Sequence, residues 1–575
     1  MHRTLVVLVL LTACSSMQGV RTSSNGDGSS GGNGHTQPST CVQRSRVSIT
    51  ADPTDLVFPT PTKVSWFASL PDDCPSLNVQ LNNTAVAPVG ARTFTPTSTT
   101  EYVVLVGDTS GSSSATNSAS VTVKVSGMPT TVLIDSTTLD PVDVLVGALT
   151  ASPNPKQVVE LCGDDLKLDF GGRKNIVVSS FRTLRAAPGC ERSLRKLGPL
   201  VFSPLRGGGP LFVIRGDDVE FSGFRLQGPE SGLGTDENGG AKGIQIVPWG
   251  CDSGQPNCVL PGLQHVAISN MEISQWDTAG VEVKDVHGPS SVLGRLWNTN
   301  VGAVHIVDNF IHDNRHTHIG YGVVVSDGAY ALIERNVFNQ NRHAIAGSSK
   351  DTTGRDFSGY RARDNLILPG GGLHCAGPVC WHTHIIDMHG DDSDCLMDHN
   401  CGNAGETMII ERNTVLYTNG KAIGIRGNPV DKAVVDHNVF AHGSQGDAIE
   451  QGGDCSYWCL FIGNDITNPI KVTPANVFGA DPMSELGSCH FAGDEVQDQF
   501  MASGVTWWVR SGLTGQWRYW NTMSEKVSEL QFQDFDGDGI CDVLPRLRFP
   551  EVIPKKYSKG GTTPWLPVGV IPPKP

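Results

Sequence analysis

Ile306-Val-Asp-Asn309-Phe-Ile is the first of five similar fragments in this sequence. The others are Ile333-Glu-Arg-Asn336-Val-Phe, Ala362-Arg-Asp-Asn365-Leu-Ile, Ile410-Glu-Arg-Asn413-Thr-Val and Val435-Asp-His-Asn438-Val-Phe. Ile462-Gly-Asn464-Asp-Ile is a less regular sixth copy, so successive asparagines are 27, 29, 48, 25 and 26 residues apart. A unit of about 25 residues that recurs with insertions is typical of a solenoid. Its β-branched and aromatic residues, broken by Gly and Asn, favour strands and tight turns.

An asparagine at a fixed turn of stacked coils can hydrogen-bond the asparagine of the coil above and of the coil below. This repeat resembles the right-handed parallel β-helix of the pectate-lyase-like superfamily, and we assign residues 128–475 to it. The resemblance implies an all-β fold. It also implies that insertions at 227–262, 287–301 and 369–406 leave from turns and form the walls of a groove.

The N-terminus has the features of an export signal. Residues 1–13 combine a short basic start with an apolar run that is too short to span a bilayer. Leu11-Thr12-Ala13-Cys14 resembles a bacterial lipobox, which implies lipidation of Cys14 and a protein anchored at the cell surface or outer membrane. The alternative is an ordinary secretory signal that is cleaved nearby. Residues 14–40, rich in Ser and Gly, predict a flexible tether.

Residues 41–127 predict a small β-domain. Five segments alternate apolar and polar residues and are separated by turn residues. The domain resembles bacterial Ig-like modules, with Trp66 as the core tryptophan of the sandwich. It is interpreted as a spacer, with a glycan-binding or surface-binding domain as the alternative.

Composition restricts the partners of the chain. Its 575 residues are enough for several domains, and 66 glycines with only 18% charged residues are typical of exported β-proteins. No helical periodicity of any length is found in the sequence. The formal net charge of −15 disfavours a nucleic-acid partner, which needs a basic face. We expect a monomer whose partners are an extracellular polysaccharide and, through the lipid, a membrane.

The cysteines predict disulfides. The chain has fifteen, and fourteen remain when Cys14 is set aside, an even number in an exported protein. Neighbours in sequence give seven pairs: Cys41 with Cys74, Cys162 with Cys190, Cys251 with Cys258, Cys375 with Cys380, Cys395 with Cys401, Cys455 with Cys459, and Cys489 with Cys541. The alternative for Cys375, Cys380, Cys395 and Cys401 is a metal site completed by nearby histidines.

A second strand follows the asparagine in each coil and carries the candidate site. The copies are Tyr321-Gly-Val-Val-Val-Ser-Asp, His343-Ala-Ile-Ala-Gly-Ser, His384-Ile-Ile-Asp387-Met-His389, Lys421-Ala-Ile-Gly-Ile-Arg426 and Asp447-Ala-Ile-Glu450-Gln. Alternation turns the intervening residues outward. Polar side chains on successive strands should therefore form one outer line: Arg342, His343, Asp387, His389, Arg426 and Glu450. Twelve of the seventeen histidines lie between His305 and His442, which favours a catalytic or binding groove over a merely polar surface or a histidine-rich metal site.

Two reactions suit this line of residues. In a polysaccharide lyase, Arg342, His343, His389 and Arg426 would supply the base and neutralise a uronate carboxylate, and Asp387 would orient His389 or hold Ca²⁺. In a glycoside hydrolase, the two carboxylates would be Asp387 and Glu450, or Asp391 and Asp392. The lyase is favoured because clustered aspartates typical of polygalacturonases are not evident. A non-enzymatic adhesin or scaffold is the third alternative.

Residues 476–575 predict a separate small β-module. The loop Asp534-Phe-Asp536-Gly-Asp538-Gly-Ile540-Cys-Asp542 offers four carboxylates and the carbonyl of Ile540 at the spacing of a calcium loop. The segment resembles one FG-GAP-type repeat, and an acidic turn without metal is the alternative. Alternating tryptophans in this segment (Trp507, Trp508, Trp517 and Trp520) are interpreted as core residues, with a sugar platform as the alternative.

Overall fold

The computed structural model describes residues 41–56, 62–71, 73–74, 77–94, 96, 99–108, 116–125, 130–150, 156–229, 240–248, 263, 265–284, 304–316, 319–349, 358–376, 379–390, 402–452, 468–546 and 556–567. The predicted signal, Cys14 and the tether lie outside these residues, as do Asn464, Asp391 and Asp392. No helix in the described ranges is long and apolar enough to cross a membrane. The chain divides into two compact units, Met1–Met128 and Pro129–Pro575.

The first unit has two β-sheets packed around one core. A three-stranded antiparallel sheet has the order β1-β3-β6, and a five-stranded sheet has the order β2-β8-β7-β4-β5. Trp66 lies in the shared core, and its indole nitrogen donates to the carbonyl of Ala87 at 2.9 Å. The predicted strands and the burial of Trp66 are therefore confirmed. The elements are α1 (Cys41–Arg44), β1 (Arg46–Asp52), β2 (Asp55–Leu56), β3 (Thr62–Ser69), β4 (Leu77–Leu81), β5 (Thr84–Val86), β6 (Val89–Phe94), β7 (Thr100–Asp108) and β8 (Thr116–Val125).

The second unit contains a parallel β-helix with three long sheets of 11, 10 and 9 strands, and each complete coil contributes one strand to each sheet. The first sheet holds β9 (Thr130–Ile134), β10 (Gln157–Leu161), β13 (Arg182–Ala186), β16 (Val219–Ser222), β19 (Val266–Ser269), β22 (Val304–Val307), β25 (Tyr330–Glu334), β28 (Gly359–Arg363), β33 (Thr407–Glu411), β36 (Lys432–Asp436) and β39 (Lys471–Val472). The second sheet holds β11 (Lys167–Asp169), β14 (Leu200–Phe202), β17 (Arg225–Gln227), β20 (Glu272–Ser274), β23 (Phe310–His312), β26 (Val337–Asn339), β29 (Leu366–Ile367), β34 (Thr414–Val415), β37 (Val439–Phe440) and β40 (Val477–Phe478).

The third sheet positions the candidate site. It holds β12 (Ile176–Val178), β15 (Gly209–Ile214), β18 (Ala241–Ile246), β21 (Ala279–Lys284), β24 (Tyr321–Ser326), β27 (His343–Gly347), β32 (Ile386–Met388), β35 (Ile423–Ile425) and β38 (Ile449–Gln451). The predicted second strand of each coil is confirmed by β24, β27, β32, β35 and β38. A hairpin of β30 (Leu373–Ala376) and β31 (Val379–His382) projects from the predicted insertion at 369–406, and α3 (Gln445–Ala448) precedes β38.

The stacked asparagines form a continuous ladder at the turn between the first and second sheets. The Nδ2 of each donates to the Oδ1 of the next over 2.9–3.1 Å, from Asn309 through Asn336, Asn365 and Asn413 to Asn438. The residue before each asparagine has a positive φ of 52–58°, which bends the chain sharply. Asn438 donates to Asn476, 38 residues farther along the chain, whereas the spacing predicted Asn464, which lies outside the described residues.

The predicted domain boundary at 475/476 therefore falls inside the last coil. Asn476 and the following strand β40 still belong to the β-helix, because β40 pairs with β37 in the second sheet. The connection from Asn438 to Asn476 is longer than the 25 residues of the preceding interval, so a regular spacing points to a nearer asparagine.

A helix closes the N-terminal end of the coil. The α2 helix (Pro141–Thr150) buries Leu145, Ala148 and Leu149 in the same core as the first coils. The expectation that no helical periodicity exists is wrong here. Leu145 and Leu149 are four residues apart, which places both on one face of a helix.

The C-terminal residues pack on the outer face of the second sheet, within the same compact unit. Trp508 and Trp517 are buried against Leu366 and Leu416 of the β-helix. Trp507 is buried in the core of the C-terminal module itself. The interpretation of the tryptophans as core residues is therefore confirmed for these three. The elements are β41 (Gly487–Cys489), β42 (Asp498–Ala502), β43 (Trp507–Arg510), β44 (Trp517–Asn521), β45 (Leu530–Gln533), β46 (Asp542–Pro545), β47 (Lys556–Tyr557) and β48 (Leu566–Pro567), with 3₁₀ turns at Pro482–Ser484, Val527–Glu529 and Lys559–Gly561.

The structure confirms two of the predicted disulfides. Cys162 is bonded to Cys190, and Cys489 is bonded to Cys541. Cys74 is also disulfide-bonded, whereas the side chain of its predicted partner Cys41 lies outside those that the structure describes.

The other predicted disulfides stay predictions. Cys375 lies directly opposite Cys380 in the hairpin of β30 and β31, which is the register that the predicted pair needs, but their side chains lie outside those that the structure describes. Three further predicted pairs fall on residues outside the described ranges: Cys251 with Cys258, Cys395 with Cys401, and Cys455 with Cys459.

Candidate functional site

Three aromatic side chains stack along the third sheet and form one wall of the site. Tyr321 pairs in register with His343, and the pairing of Ile345 with Ile386 places His384 at the equivalent position of the next coil. The rings of Tyr321 and His343 are 5.7 Å apart, and those of His343 and His384 are 4.5 Å apart and nearly parallel. Parallel strands in register therefore bring together residues that lie 41 positions apart in the chain.

Asp387 is the centre of the site. Its carboxylate faces outward from β32, yet it is fully buried because three cationic or titratable side chains cover it. Arg426 binds both oxygens, with Nε 3.1 Å from Oδ1 and Nη2 2.8 Å from Oδ2. His389 Nε2 lies 2.6 Å from Oδ2, and His384 Nε2 lies 2.9 Å from Oδ1.

These contacts fix the charge of Asp387. Burial alone would raise the pKa of its carboxyl, but the charges of His389, His384 and Arg426 outweigh it and hold the pKa well below its usual value. Asp387 is therefore an anion at neutral pH. It can orient a neighbouring group or bind a cation, but it cannot readily donate a proton.

His343 is held in one tautomer. Its Nδ1 lies 2.6 Å from the carbonyl oxygen of His384, which can only accept, so Nδ1 carries the proton. Burial, followed by the nearby His384 and Arg342, holds the pKa of His343 well below its ordinary value, so the ring is neutral. Nε2 then presents a lone pair, and it is buried with no hydrogen-bond partner in the described part of the chain.

Arg342 lies at the edge of the cluster, against Tyr321. Its Nη1 donates to the Tyr321 hydroxyl at 3.1 Å, and its guanidinium carbon is 5.6 Å from the centre of the Tyr321 ring. None of the carboxylates in the described ranges forms an ion pair with Arg342. Arg426 is occupied by Asp387, so Arg342 is the guanidinium of this cluster that remains available for an external anion.

Gly424 makes the geometry of His384 feasible. It pairs in register with Asp387, and a Cβ added at Gly424 would lie 3.0 Å from the His384 ring. A larger residue would push that ring away from the carboxylate. Glu450 follows Gly424 in the same register, is exposed, and lies two strands from Asp387, about 10 Å away at the spacing of parallel strands.

The structure thus brings together five of the six predicted catalytic residues: Arg342, His343, Asp387, His389 and Arg426. His343 does not lie on the predicted outer line, because it is fully buried and shares the side of β27 that carries the core residue Ile345. Glu450 lies on the same outer face but does not join the cluster. His384 and Tyr321 complete it and were not predicted to. A signal for them existed, since both begin copies of the repeated strand at the position that His343 occupies in its own copy.

The predicted calcium loop is a second candidate site. Asp534, Asp536 and Asp542 each place a carboxylate oxygen within 4.8 Å of the other two. Asp538 is not in this group, and Lys559 Nζ contacts it at 3.1 Å and Asp536 at 2.7 Å. Hydrogen bonds to these aspartates raise the pKa of Lys559 above its ordinary value, so its ammonium supplies positive charge at one side of the loop.

Comparison with known proteins finds distant structural similarity. No protein family matches the chain, and no curated protein matches it. Full-length tailspike protein 2 of an Escherichia coli O157:H7 bacteriophage is 12% identical, with a TM-score of 0.33 over 74% of this chain and 66% of the tailspike, just under two thirds of its length. The enzymatically active domain of bacteriophage CBA120 tailspike protein 2 is also 12% identical, with a TM-score of 0.34 over 79% of this chain and 77% of that domain.

A third solved structure shows similarity of the same low order. The catalytic unit of a GH87 alpha-1,3-glucanase from Streptomyces thermodiastaticus is 13% identical, with a TM-score of 0.24 over 76% of this chain and 97% of the glucanase. Similarity at this level carries no argument on the reaction.

Proposed function

We propose that the outer face of the third sheet binds an acidic extracellular polysaccharide and cleaves it by β-elimination. The observation that supports this proposal is Arg342, a guanidinium without a carboxylate partner among the described residues, packed on the aromatic ring of Tyr321. A planar cation beside an aromatic face suits a sugar ring that carries a carboxylate. The protein as a whole is acidic, with a formal net charge of −15, so an anionic glycan needs such a local basic subsite.

The proposed reaction assigns one role to each side chain. Arg342 binds the uronate carboxylate and stabilises the negative charge that develops on it. His389, whose side chain is 24% exposed, removes the proton on the carbon next to that carboxylate. The electron pair forms a carbon–carbon double bond as the 4-linked sugar leaves with its oxygen and takes up a proton from water. Asp387 and Arg426 are positioning residues that hold His389.

Hydrolysis by two carboxylates is less well supported. It requires one carboxylic acid that is still protonated when the glycosidic bond breaks. The pKa of Asp387 is held well below its usual value, against the effect of burial, by the surrounding His389, His384 and Arg426, so this carboxylate is a poor acid. Glu450 lies apart from the cluster.

The test is incubation of the full chain with a panel of polyuronates, with ultraviolet absorbance reporting the unsaturated product. We expect absorbance to rise with at least one of them. Removing the base in His389→Ala should lower kcat by about 10²–10⁴-fold. Arg342→Gln should lower kcat/KM by about 10²–10³-fold, because charge stabilisation in the transition state is lost.

Arg185→Gln serves as the matched control, since Arg185 forms an ion pair with Glu160 on the first sheet, far along the coil from the site. It should leave activity unchanged. Reducing ends without the absorbance would show a hydrolase instead. Retardation in a polyuronate gel without either product would show a binding protein, and no response to any acidic glycan would refute the proposal.

The sequence supports a location for this activity. We infer that the chain is exported and held at the cell surface or outer membrane through lipid on Cys14, where polysaccharide is accessible. The lipobox-like residues 11–14 and the following tether support this inference. Radiolabelled fatty acid should be incorporated into the intact chain and not into Cys14→Ser.

A further inference from the structure

We propose that His343, His384 and Asp387 form a binding site for a divalent transition-metal ion of the Zn²⁺ class. One ring nitrogen from each histidine and a carboxylate oxygen of Asp387 lie within 4.8 Å of one another. The site is defined by its own ligands, so it does not depend on the proposed reaction.

His343 is arranged as metal-ligating histidines are. Its Nδ1–H donates to the carbonyl oxygen of His384, which fixes the ring and leaves the lone pair of Nε2 available. That Nε2 is fully buried and has no hydrogen-bond partner in the described ranges. An unpartnered polar atom inside a packed site is costly unless something binds it.

The other two ligands complete the donor set. The Nε2 of His384 lies 2.9 Å from Asp387 Oδ1 but does not form a well-aligned hydrogen bond with it. Asp387 is an anion, and its Oδ1 lies 2.9 Å from His384 Nε2 while it also accepts from Arg426 Nε at 3.1 Å. A zinc ion with bonds of about 2.0–2.2 Å needs ligand atoms about 3.4 Å apart, so small side-chain movements suffice.

The chemistry of the donors selects the ion. Two imidazole nitrogens with one carboxylate suit Zn²⁺, Co²⁺ or Ni²⁺, whereas Ca²⁺ and Mg²⁺ prefer all-oxygen sites. Three protein ligands leave a fourth position open for water or for an oxygen of a ligand. Access is from the side of His384, whose side chain is 19% exposed. An ion here would add positive charge to the face that carries Arg342.

The experiment measures Co²⁺ and Zn²⁺ binding to the full chain without a histidine tag, with Ca²⁺ in excess so that the loop Asp534–Asp542 does not contribute. No glycan is present, so failure here leaves the proposed lyase reaction untouched, and an inactive lyase leaves this result untouched. We expect one equivalent of Co²⁺ with visible absorption bands of a four-coordinate ion, displaced by Zn²⁺.

Two variants and one control decide the assignment. Asp387→Asn keeps the volume of the side chain, and His384→Ala removes a ring that is partly exposed; each should weaken Co²⁺ binding at least about tenfold. His437→Ala is the control, because His437 is exposed and pairs only with Asp436 in the described structure. Absence of binding to the unmodified chain, or unchanged binding in both variants, would overturn the assignment. A circular-dichroism spectrum confirms that each variant is folded.

Discussion

At the scale of single residues, the asparagine ladder makes a quantitative prediction for Asn365. Its Oδ1 accepts from the backbone N–H and the Nδ2 of Asn336, and its own Nδ2 donates to Ile333 O and Asn413 Oδ1. Asn365→Ala leaves at least two buried polar groups without partners. We expect it to lower the free energy of unfolding by about 3 kcal/mol or more, at about 1–3 kcal/mol per unsatisfied group.

The control for that prediction is Asn339→Ala, measured in the same urea titration. Asn339 lies three residues after a ladder asparagine, but its Oδ1 has no hydrogen-bond partner in the described structure. Its loss should change the free energy of unfolding by less than about 1 kcal/mol. Equal effects of the two substitutions would show that the ladder does not stabilise the coil.

The sequence predicted the asparagine ladder better than it predicted the candidate site on the third sheet. An asparagine recurs in the same local sequence, so its position in the coil can be recognised without a structure. The role of His384 depends on which strand lies beside which, and on Gly424 in the neighbouring coil leaving space for its ring. Neither the strand pairing nor the space left by Gly424 can be recognised from the residues that surround His384 in the sequence. The ladder shows the same limit at its end, where the connection to Asn476 is longer than the preceding interval.

At the scale of elements, the contact between β20, β23 and the C-terminal module predicts a pH dependence. His312 lies 2.8 Å from Asp313 and 3.2 Å from Glu272, and Glu272 also accepts from Gln516 of the module. Burial opposes the charge on His312, but hydrogen bonds to Asp313 and Glu272 outweigh it and raise its pKa. Burial likewise opposes the charge on Glu272, but His312 and Arg192 lower its pKa.

The sign of each shift sets the window. A raised pKa on His312 contributes stability that is complete below its ordinary value of 6.5 and is lost as the pH rises through the folded value. A lowered pKa on Glu272 contributes stability that is complete above its ordinary value of 4.5 and is lost as the pH falls. The contribution of the pair should therefore be greatest between pH 4.5 and 6.5 and decline on the alkaline side as His312 deprotonates.

His312→Gln tests this dependence. As the pH rises from about 6 to about 9, a histidine with a raised pKa loses its proton. Over this range the melting temperature of the variant should fall less than that of the unmodified chain. His437→Gln, at an exposed position on a different turn, should reproduce the unmodified profile. Parallel profiles for the unmodified chain and His312→Gln would contradict the argument.

The loop between β45 and β46 carries a prediction about calcium. Three converging carboxylates repel one another unless a cation is present, and Lys559 supplies only one charge at the edge of the group. We propose that Ca²⁺ binds Asp534, Asp536 and Asp542 and raises the melting temperature. Asp536→Asn should reduce that rise, and Lys559→Gln should strengthen Ca²⁺ binding because it removes a competing cation. A calcium response that is identical in Asp536→Asn and in the unmodified chain would exclude the loop as its source.

Element types were largely predictable, because strands of a β-helix carry their own alternation and turn residues. The α2 helix was not, although Leu145 and Leu149 have helical spacing and Pro141 begins it. The helix has ten residues and stands among 48 strands in the described ranges, so its period of 3.6 is hard to recognise where the prevailing period is two. The helix forms because the first coil has no preceding coil to cover its core, and a capping element is needed there.

At the scale of the whole molecule, the prediction for residues 476–575 has two parts: a change in character after the repeats, and a module separate from the β-helix. The sequence identified the change in character after the repeats, but it did not show that the new segment is fixed to the β-helix. Arg192 of the β-helix donates to Gln516 at 2.8 Å, and Arg518 donates to Asn270 at 2.6 Å. Such contacts join residues more than 240 positions apart, so no local sequence pattern predicts them.

This packing predicts that the C-terminal residues fold together with the β-helix, whereas the first unit, Met1–Met128, folds independently of them. A chain that ends at residue 480 exposes Val337, Leu366, Leu368 and Leu416, which the module now covers. At about 1.5–3 kcal/mol for each of these four large apolar side chains, the loss is comparable to the stability of a typical domain. We expect this chain to be insoluble or to melt at a much lower temperature.

A chain that begins at residue 129 retains its whole core, because the two units have separate hydrophobic clusters. It should melt at the same temperature as that unit in the full chain. Scanning calorimetry of the three chains is the measurement, and equal stability of the chain ending at residue 480 would show that the module is only an attachment.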